Sequence, residues 1–169
     1  MKRKLVLARA LINKPKAIFL DEPTTGLDPD ARQEFWKLVQ VLKGEGAAIL
    51  LTTHYMEEAE RLCDRVVLMQ GGKAIETSTP KELILKHVGS EVFEVSLVEK
   101  EPLRLLATGY DTWIRYYGLG SVLGVPLGDK EHTLTGEMFK DIEKLSPEKI
   151  LRRPANLEDV FLSITGETL

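Results

Sequence analysis

The sequence predicts an α/β fold followed by a smaller α+β module. In the first half, short and wholly apolar runs alternate with amphipathic segments, which is typical of buried parallel strands joined by helices. After about residue 89, apolar residues alternate with polar ones instead, as they do in a half-exposed strand. We therefore expect two domains, residues 1–89 and residues 90–169.

The elements of the first domain follow from apolar periodicity, capping residues and turns. Asp28 followed by Pro29 is a typical helix start, and Thr79 with Glu82 forms a capping box. The buried stripe of the helix after Asp28 would be Phe35, Leu38, Val39 and Leu42. The predicted elements in chain order are a helix over 2–13, a strand over 17–20 that is buried on both faces, a helix over 29–43, a strand over 47–51, a helix over 55–62, a strand over 65–69, its antiparallel hairpin partner over 73–77 and a helix over 80–88.

The second domain has weaker but readable signals. The run 91–98 alternates, with Phe93, Val95 and Leu97 on one face, and Asn156 would cap the final helix before Gly166. The predicted elements are a strand over 91–98, a short helix over 102–108, a strand over 112–117, a weaker strand over 122–127, a helix over 135–145, an edge strand over 149–152 and a helix after Asn156.

Composition excludes several classes of protein. The 169 residues are 43% hydrophobic and 29% charged, with a net charge of −3, which is ordinary for a globular protein and argues against a general nucleic-acid binder. The single cysteine, Cys63, cannot build a disulfide framework. No apolar stretch approaches the roughly 20 residues of a membrane-spanning helix.

The residues with the clearest chemistry lie where two predicted strands end. Asp21 and Glu22 follow the first apolar run, and His54 follows the second. Because ligands of open α/β sheets bind at the carboxyl ends of the strands, these side chains would share one edge. Adjacent carboxylates can hold Mg²⁺ and orient a water, and an imidazole can donate to a phosphate. The alternatives are a strand that enters a polar loop and a surface or helix-capping histidine.

Three segments in order resemble the ATPases of ABC transporters. Residues 18–29, Ile-Phe-Leu-Asp-Glu-Pro-Thr-Thr-Gly-Leu-Asp-Pro, resemble the Walker B strand and D-loop of that family. Residues 51–60, Leu-Thr-Thr-His-Tyr-Met-Glu-Glu-Ala-Glu, are similar to its switch-histidine segment, and residues 2–11 resemble the helix that follows its signature motif. The resemblance extends to about residue 85 and implies the C-terminal half of a P-loop-type ABC ATPase core with mainly parallel strands.

The resemblance implies a role for each matching residue. Asp21 would be the magnesium-side acid, acting through water, and Glu22 would be the catalytic base. Asp28 would lie at the interface between two ATPase subunits, and His54 would sense the γ-phosphate. ATP and Mg²⁺ would be the cofactors of the full-length parent.

Other family motifs do not occur in these 169 residues. There is no Walker A pattern Gly-x-x-x-x-Gly-Lys-[Ser/Thr], no glutamine loop, no upstream adenine-stacking aromatic residue and no signature Leu-Ser-Gly-Gly. The Walker A loop supplies the backbone amides and the lysine that hold the phosphates. We therefore expect that the chain is a C-terminal fragment and that alone it neither binds ATP tightly nor hydrolyses it.

The last residues suggest the kind of transporter. Residues 90–169 resemble the accessory domain of drug-, antibiotic- and lipooligosaccharide-type exporters, mainly through residues 156–166. The resemblance implies a separate membrane permease and a second ATP-binding subunit, in a homodimer, as partners, a cytoplasmic location on the inner face of the membrane, and no nucleic-acid partner. One alternative is a natural, non-catalytic regulatory protein that pairs with permease or full-length subunits. Another is a chromosome-structural or DNA-repair ATPase, which the exporter-like tail disfavours.

Two further expectations concern surfaces. Without neighbouring strands, the apolar runs 17–20 and 47–53 would be uncovered and would favour self-association of the fragment. The densest aromatic cluster comprises Tyr110, Trp113, Tyr116 and Tyr117, with Arg115 among them. A packed strand of the small domain is the favoured interpretation of this cluster, and a binding platform is the alternative.

Overall fold

The computed structural model describes residues 15–97, 99–110, 112–117, 120–124 and 131–165, although the side chains of residues 116, 117, 131–134 and 165 are outside the described part. The predicted helix over 2–13 and the predicted stop at Gly166 lie outside the described residues. The chain divides into two compact units, residues 1–62 and 63–169. Within the described ranges, none of the helices has the length and apolar content of a membrane span.

The first unit contains one parallel pair of strands with a helix between them. Its elements are β1 (Ala17–Asp21), α1 (Pro29–Gly44), β2 (Ala48–Thr52) and α2 (Met56–Leu62). Strands β1 and β2 pair in parallel, with Ala17 opposite Ala48 and Asp21 opposite Thr52. This confirms the two predicted strands and both helices. Because the strands run in the same direction, their carboxyl ends meet at one edge.

Helix α1 begins at the predicted residue but buries a different stripe. The Asp28 side chain accepts a hydrogen bond from the Ala31 backbone N–H at 2.8 Å, so the predicted cap is confirmed. The most buried side chains of α1 are Trp36 and Val39. The predicted stripe includes Val39 but omits Trp36, and its other three members are only half-buried. The difference arises because α1 packs against α2, where Trp36 Nε1 donates to Glu58 Oε1 at 3.1 Å.

The prediction that the first strand is buried on both faces is wrong. Ile18 and Leu20 are buried, but Phe19 between them is 78% exposed. Leu50, which lies opposite Phe19 in β2, is 61% exposed. Successive side chains of a strand point to opposite faces, so one face of this pair is covered and the other carries exposed apolar side chains.

The second unit begins with the predicted hairpin and the predicted capped helix, although the sequence pattern assigns both to the first domain. Strands β3 (Val66–Gln70) and β4 (Lys73–Ser78) are antiparallel, and the turn glycines 71 and 72 both have positive φ, which a two-residue hairpin turn favours. Helix α3 (Pro80–His87) has both hydrogen bonds of the Thr79–Glu82 capping box. These elements group with the following sheet, so the compact units divide at Leu62. The domain boundary near residue 89, inferred from sequence patterning, stays a prediction.

A four-stranded antiparallel sheet forms the rest of the second unit. Its strands are β5 (Glu91–Ser96), β6 (Ile114–Tyr117), β7 (Gly120–Gly124) and β8 (Lys149–Pro154), in the order β6-β7-β5-β8. The helices are α4 (Glu101–Gly109), α5 (Glu131–Lys144) and α6 (Leu157–Thr165). The predicted α+β character and the edge position of the strand near 149–152 are confirmed. Of the weaker predicted strand, residues 125–127 lie outside the described residues.

Strand β5 is buried on both faces rather than half-exposed. Phe93 and Val95 belong to a core with residues of α4, α5 and β7. Val92, whose side chain points to the opposite face, is also fully buried. The prediction of a half-exposed strand is wrong because both faces of β5 are covered. Helices α4 and α5 contribute to the core around Phe93 and Val95, and Val92 is buried on the other face.

The described members of the aromatic cluster are packed, as the favoured interpretation expects. Tyr110 donates its hydroxyl hydrogen to Asp141 Oδ2 at 2.8 Å. Trp113 lies so close to Gly124 that a Cβ there would stand 2.2 Å from its Nε1. Arg115 Nε donates to the Leu162 carbonyl at 2.9 Å in the last turns of α6. The side chains of residues 116 and 117 lie outside the described part.

Candidate functional site

The predicted site residues lie at the carboxyl edge of the β1–β2 pair. Asp21 is the last residue of β1 and Glu22 follows it directly, while Thr52 ends β2 and His54 follows two residues later. The parallel register, with Asp21 opposite Thr52, brings these chain segments side by side. The prediction that His54 shares an edge with both acids is therefore confirmed by the geometry.

Glu22 and His54 are in direct contact. His54 Nδ1 lies 2.7 Å from Glu22 Oε2, and the Thr25 hydroxyl donates to the same carboxylate oxygen at 3.1 Å. The side chains of Glu22 and His54 are 40% and 53% exposed, so a small ligand can reach them. The pair combines a carboxylate that accepts hydrogen bonds with an imidazole that can donate or accept a proton.

Thr52 connects Asp21 with Glu22 across the two strands. Its hydroxyl donates to Asp21 Oδ1, and its Oγ1 accepts from the Glu22 backbone N–H at 3.2 Å. The Glu22 N–H also donates to the Thr52 carbonyl at 3.0 Å. Thr52 thereby fixes the end of β1 at the residue where the two acids emerge.

The backbone at Glu22 leaves the strand in an uncommon conformation. Its φ is 44°, in the left-handed region that non-glycine residues rarely adopt. The following turn is closed by hydrogen bonds from Thr25 N to Glu22 O at 3.3 Å and from Leu27 N to Thr24 O at 3.0 Å. Such strained residues cluster at functional sites because the surrounding structure must hold them. In this conformation the Glu22 side chain contacts His54.

Asp28 serves a different purpose in the described structure. Its carboxylate caps α1 through Ala31, and its carbonyl accepts from the Arg32 backbone N–H at 3.0 Å. Among the described contacts, Asp28 joins helix α1 rather than the other three predicted site residues. Its predicted place between two subunits remains a prediction.

The oxygen ligands present suit a magnesium ion that also binds water and phosphate better than one that is bound by protein side chains alone. Carboxylate oxygens of Asp21 and Glu22 are hard ligands, and Mg²⁺ is commonly bound by one or two carboxylates with several waters and substrate phosphates. In the ranges that the structure describes, no group of three or more acidic, histidine or cysteine side chains could hold a metal ion. The residues present therefore fit Mg²⁺ only as a shared ligand with phosphate and water.

Sequence reasoning missed the residues that support the pair. Thr25 and Thr52 contact Glu22 and Asp21, yet their sequence signal is only that they lie inside the two motifs. Tyr55 packs beside His54, and the Arg32 guanidinium lies over the Tyr55 ring. Nothing in a single sequence indicates that an arginine of α1 reaches a tyrosine after β2.

Known proteins resemble this chain over its whole length. A family model described as "AAA domain, putative AbiEii toxin, Type IV TA system" matches residues 1–58. Over all 169 residues the chain is 43% identical to Nod factor export ATP-binding protein I of Rhizobium etli. It is 42% identical to the protein of that name from Bradyrhizobium diazoefficiens. These relatives support an ABC-transporter ATP-binding subunit. Asp21, Glu22 and His54 meet at the edge of the sheet, and their functional roles stay a prediction.

The chain spans about half the length of these relatives, covering 51% of the Rhizobium protein and 53% of the Bradyrhizobium protein. Their names do not favour the alternative of a non-catalytic regulatory protein. Among solved structures, an ATP-binding subunit of an ABC transporter is 34% identical, with a TM-score of 0.40, over 43% of this chain and 30% of that one. CbiO1 of Clostridium perfringens, part of the ABC transporter complex cbiONQ, is 37% identical, with a TM-score of 0.44, over 49% and 34% of the two chains.

Proposed function

We propose that this chain is part of the ATP-hydrolysing subunit of an exporter and that it supplies the hydrolytic residues of that subunit. The observation that carries the proposal is the 2.7 Å contact between Glu22 and His54 at the carboxyl edge of two parallel strands. Relatives of the same family that are named for export support the direction of transport. Residues 90–169 would then form an accessory domain that follows the ATPase core in the chain.

Glu22 is the general base of the proposed reaction. Its carboxylate is exposed enough to accept a hydrogen bond from an attacking water, and Thr25 and His54 hold it in place. His54 can donate a hydrogen bond toward a terminal phosphate from the same edge. Asp21, held by Thr52, would contribute an oxygen ligand to Mg²⁺, which neutralises phosphate charge when it is bound.

The phosphate-binding half of such a site would come from outside these residues. No Walker A pattern occurs in the sequence, so the chain has no glycine loop to surround the phosphates. We therefore propose ATP and Mg²⁺ as cofactors of the longer protein, without tight binding to this chain alone.

The proposed partners follow from the family. A separate membrane permease would receive the chemical energy at the cytoplasmic face of the membrane, and a second ATP-binding subunit would face Asp28. No nucleic-acid partner is proposed, since the chain carries a net charge of −3.

The exposed Phe19 and Leu50 support self-association of the isolated chain. Sedimentation velocity across a range of concentrations would show a rising average mass, and Phe19→Ser would reduce it.

A chimeric protein tests the hydrolytic function. The matching segment of the Rhizobium etli relative is replaced by these 169 residues, and phosphate release from ATP is measured on the purified protein. We expect turnover in the chimera and a fall of about a hundred- to ten-thousand-fold in Glu22→Gln, because general-base catalysis contributes that much. Glu45→Gln is the matched control, since Glu45 is an exposed acid of the same unit at the end of α1. Equal rates in the two glutamine variants would refute the role of Glu22.

A further inference from the structure

Three side chains form a continuous stack beside the candidate site. The Arg32 guanidinium carbon lies 4.3 Å from the centre of the Tyr55 ring. The Tyr55 ring centre lies in turn 4.1 Å from that of His54, with the ring planes tilted by 39°. His54 ends the series at Glu22. The stack therefore connects helix α1 with the side chain that touches the proposed base.

The histidine alone is poorly restrained. It lies in the short connection between β2 and α2, and its side chain is 53% exposed, so protein atoms cover only about half of it. One hydrogen-bonding contact, to Glu22 Oε2, holds its Nδ1. A half-exposed contact of this kind contributes little net free energy. A neighbouring ring that limits rotation would therefore change how often the contact is made.

Tyr55 is well fixed for that purpose. Its backbone N–H donates to Thr53 Oγ1 at 3.0 Å, and its carbonyl accepts from the Glu58 N–H at 3.0 Å at the start of α2. The main chain on both sides is thereby set, and the ring remains to be oriented. The cation–π contact with Arg32 supplies that orientation.

Arg32 is itself held by the first turn of α1. Its backbone N–H donates to the Asp28 carbonyl at 3.0 Å, one turn after the cap. Its side-chain Nε is buried and makes no hydrogen bond among the described atoms, so this atom adds no competing polar contact that would draw the guanidinium elsewhere. The stacking contact is then the described interaction that directs this side chain.

We propose that Arg32 and Tyr55 are positioning residues that hold His54 against Glu22. The proposal rests on the proposed function, in which His54 acts at a bound phosphate, but its physical content is a conformational preference of the free chain. Through Arg32 the orientation of His54 depends on the same helical turn that Asp28 caps. If Arg32 only covered the surface of Tyr55, removal of the Arg32 side chain would not change the orientation of His54.

Nuclear magnetic resonance on the 169-residue chain tests this preference without any hydrolysis. The probes are the nuclear Overhauser contact between the His54 ring and the Glu22 side chain and the nitrogen shift of His54 Nδ1. Substitution of His87 and His132 identifies the His54 signals. The variants are Arg32→Met, Arg32→Lys, Tyr55→Leu and Tyr55→Phe. The matched control is Arg61→Met, because Arg61 stacks on Trp36 in the same unit at 5.1 Å.

Loss of the cation or of the ring should release His54. We expect Arg32→Met and Tyr55→Leu to lower the ratio of Glu22-bound to rotated His54 by roughly two- to fivefold, the equivalent of about 0.5–1 kcal/mol for an exposed cation–π contact. Arg32→Lys and Tyr55→Phe should restore most of the ratio, and Arg61→Met should leave it unchanged. Circular dichroism confirms that each variant is folded.

Two results would overturn the proposal. One is an unchanged contact and nitrogen shift in both Arg32→Met and Tyr55→Leu. The other is an equal loss in Arg61→Met, which would assign the effect to general loosening of the unit. If Arg32→Met does not fold, Tyr55→Leu against Tyr55→Phe decides the matter. Because ATP is absent throughout, a failure of the proposed hydrolytic function would appear only in the chimera and would leave this result standing.

Discussion

The two units of the chain use apolar strands in opposite ways. In the second unit, β5 is central, and Phe93 on one face and Val92 on the other are fully buried. In the first unit, β1 is more uniformly apolar, yet Phe19 is 78% exposed. The comparison shows that neighbouring elements, rather than the hydrophobicity of the strand itself, decide whether both faces are covered. The candidate site belongs to the unit whose sheet is less covered.

The largest expected effect on stability comes from comparing one phenylalanine in each unit. Phe93→Ala should destabilise the second unit by about 3–5 kcal/mol, because it leaves a cavity in a closed core. Phe19→Ala should change the stability of the first unit by less than about 0.5 kcal/mol, as exposed substitutions usually do. Urea unfolding of the two variants gives both values.

Each unit contains one tryptophan that can report its unfolding. Trp36 lies in the first unit and Trp113 in the second, so single-tryptophan variants separate the two transitions. If Phe19→Ala lowered the free energy of unfolding as much as Phe93→Ala does, the face of β1 that carries Phe19 would be covered in solution. It would thereby remove the contrast between the units.

Helix caps test whether local structure is equally strong in both units. Asp28→Ala and Thr79→Ala each remove a side chain that accepts a hydrogen bond at a helix start. Each substitution should lower the free energy of unfolding of its own unit by about 1 kcal/mol, because the capping hydrogen bond that is lost is local. The controls are Asp30→Ala and Lys81→Ala in the adjacent turns. A negligible cost for Asp28→Ala alone would indicate that the first turn of α1 is frayed.

Alkaline pH should weaken the second unit through one tyrosine. Burial raises the pKa of Tyr110 to about 12, and its hydrogen bond to Asp141 acts in the same direction. The unfolded chain has a tyrosine pKa of about 10, so this contribution is complete below that pH and is lost as pH rises toward 12. Tyr110→Phe should flatten the pH dependence of the unfolding free energy over this interval. An unaltered slope in Tyr110→Phe would contradict the assignment.

Much of the fold was predictable because its signals are local. Asp28 with Pro29, the Thr79–Glu82 capping box and the glycine pair at 71–72 each fix a boundary through their own backbone chemistry. The alignment of Asp21 with His54 also followed, because parallel strands place their carboxyl ends together.

The misses are all matters of tertiary packing. Trp36 is buried where α1 packs against α2, and its ring N–H donates to Glu58, while Val92 is buried on the face of β5 opposite the core that contains Phe93. The contacts of Thr52 with Asp21 and of Arg32 with Tyr55 join residues of different elements. Periodicity within a segment contains no information on such partners.

Binding of ATP to the 169-residue chain tests the central claim most directly. This chain contains the proposed hydrolytic residues but no Walker A pattern. Calorimetric titration with ATP and Mg²⁺ should therefore show no saturable binding at any concentration at which the chain stays in solution. One-to-one, magnesium-dependent binding that disappears in Asp21→Asn or Glu22→Gln would contradict the account, because these residues would then hold the nucleotide without the loop.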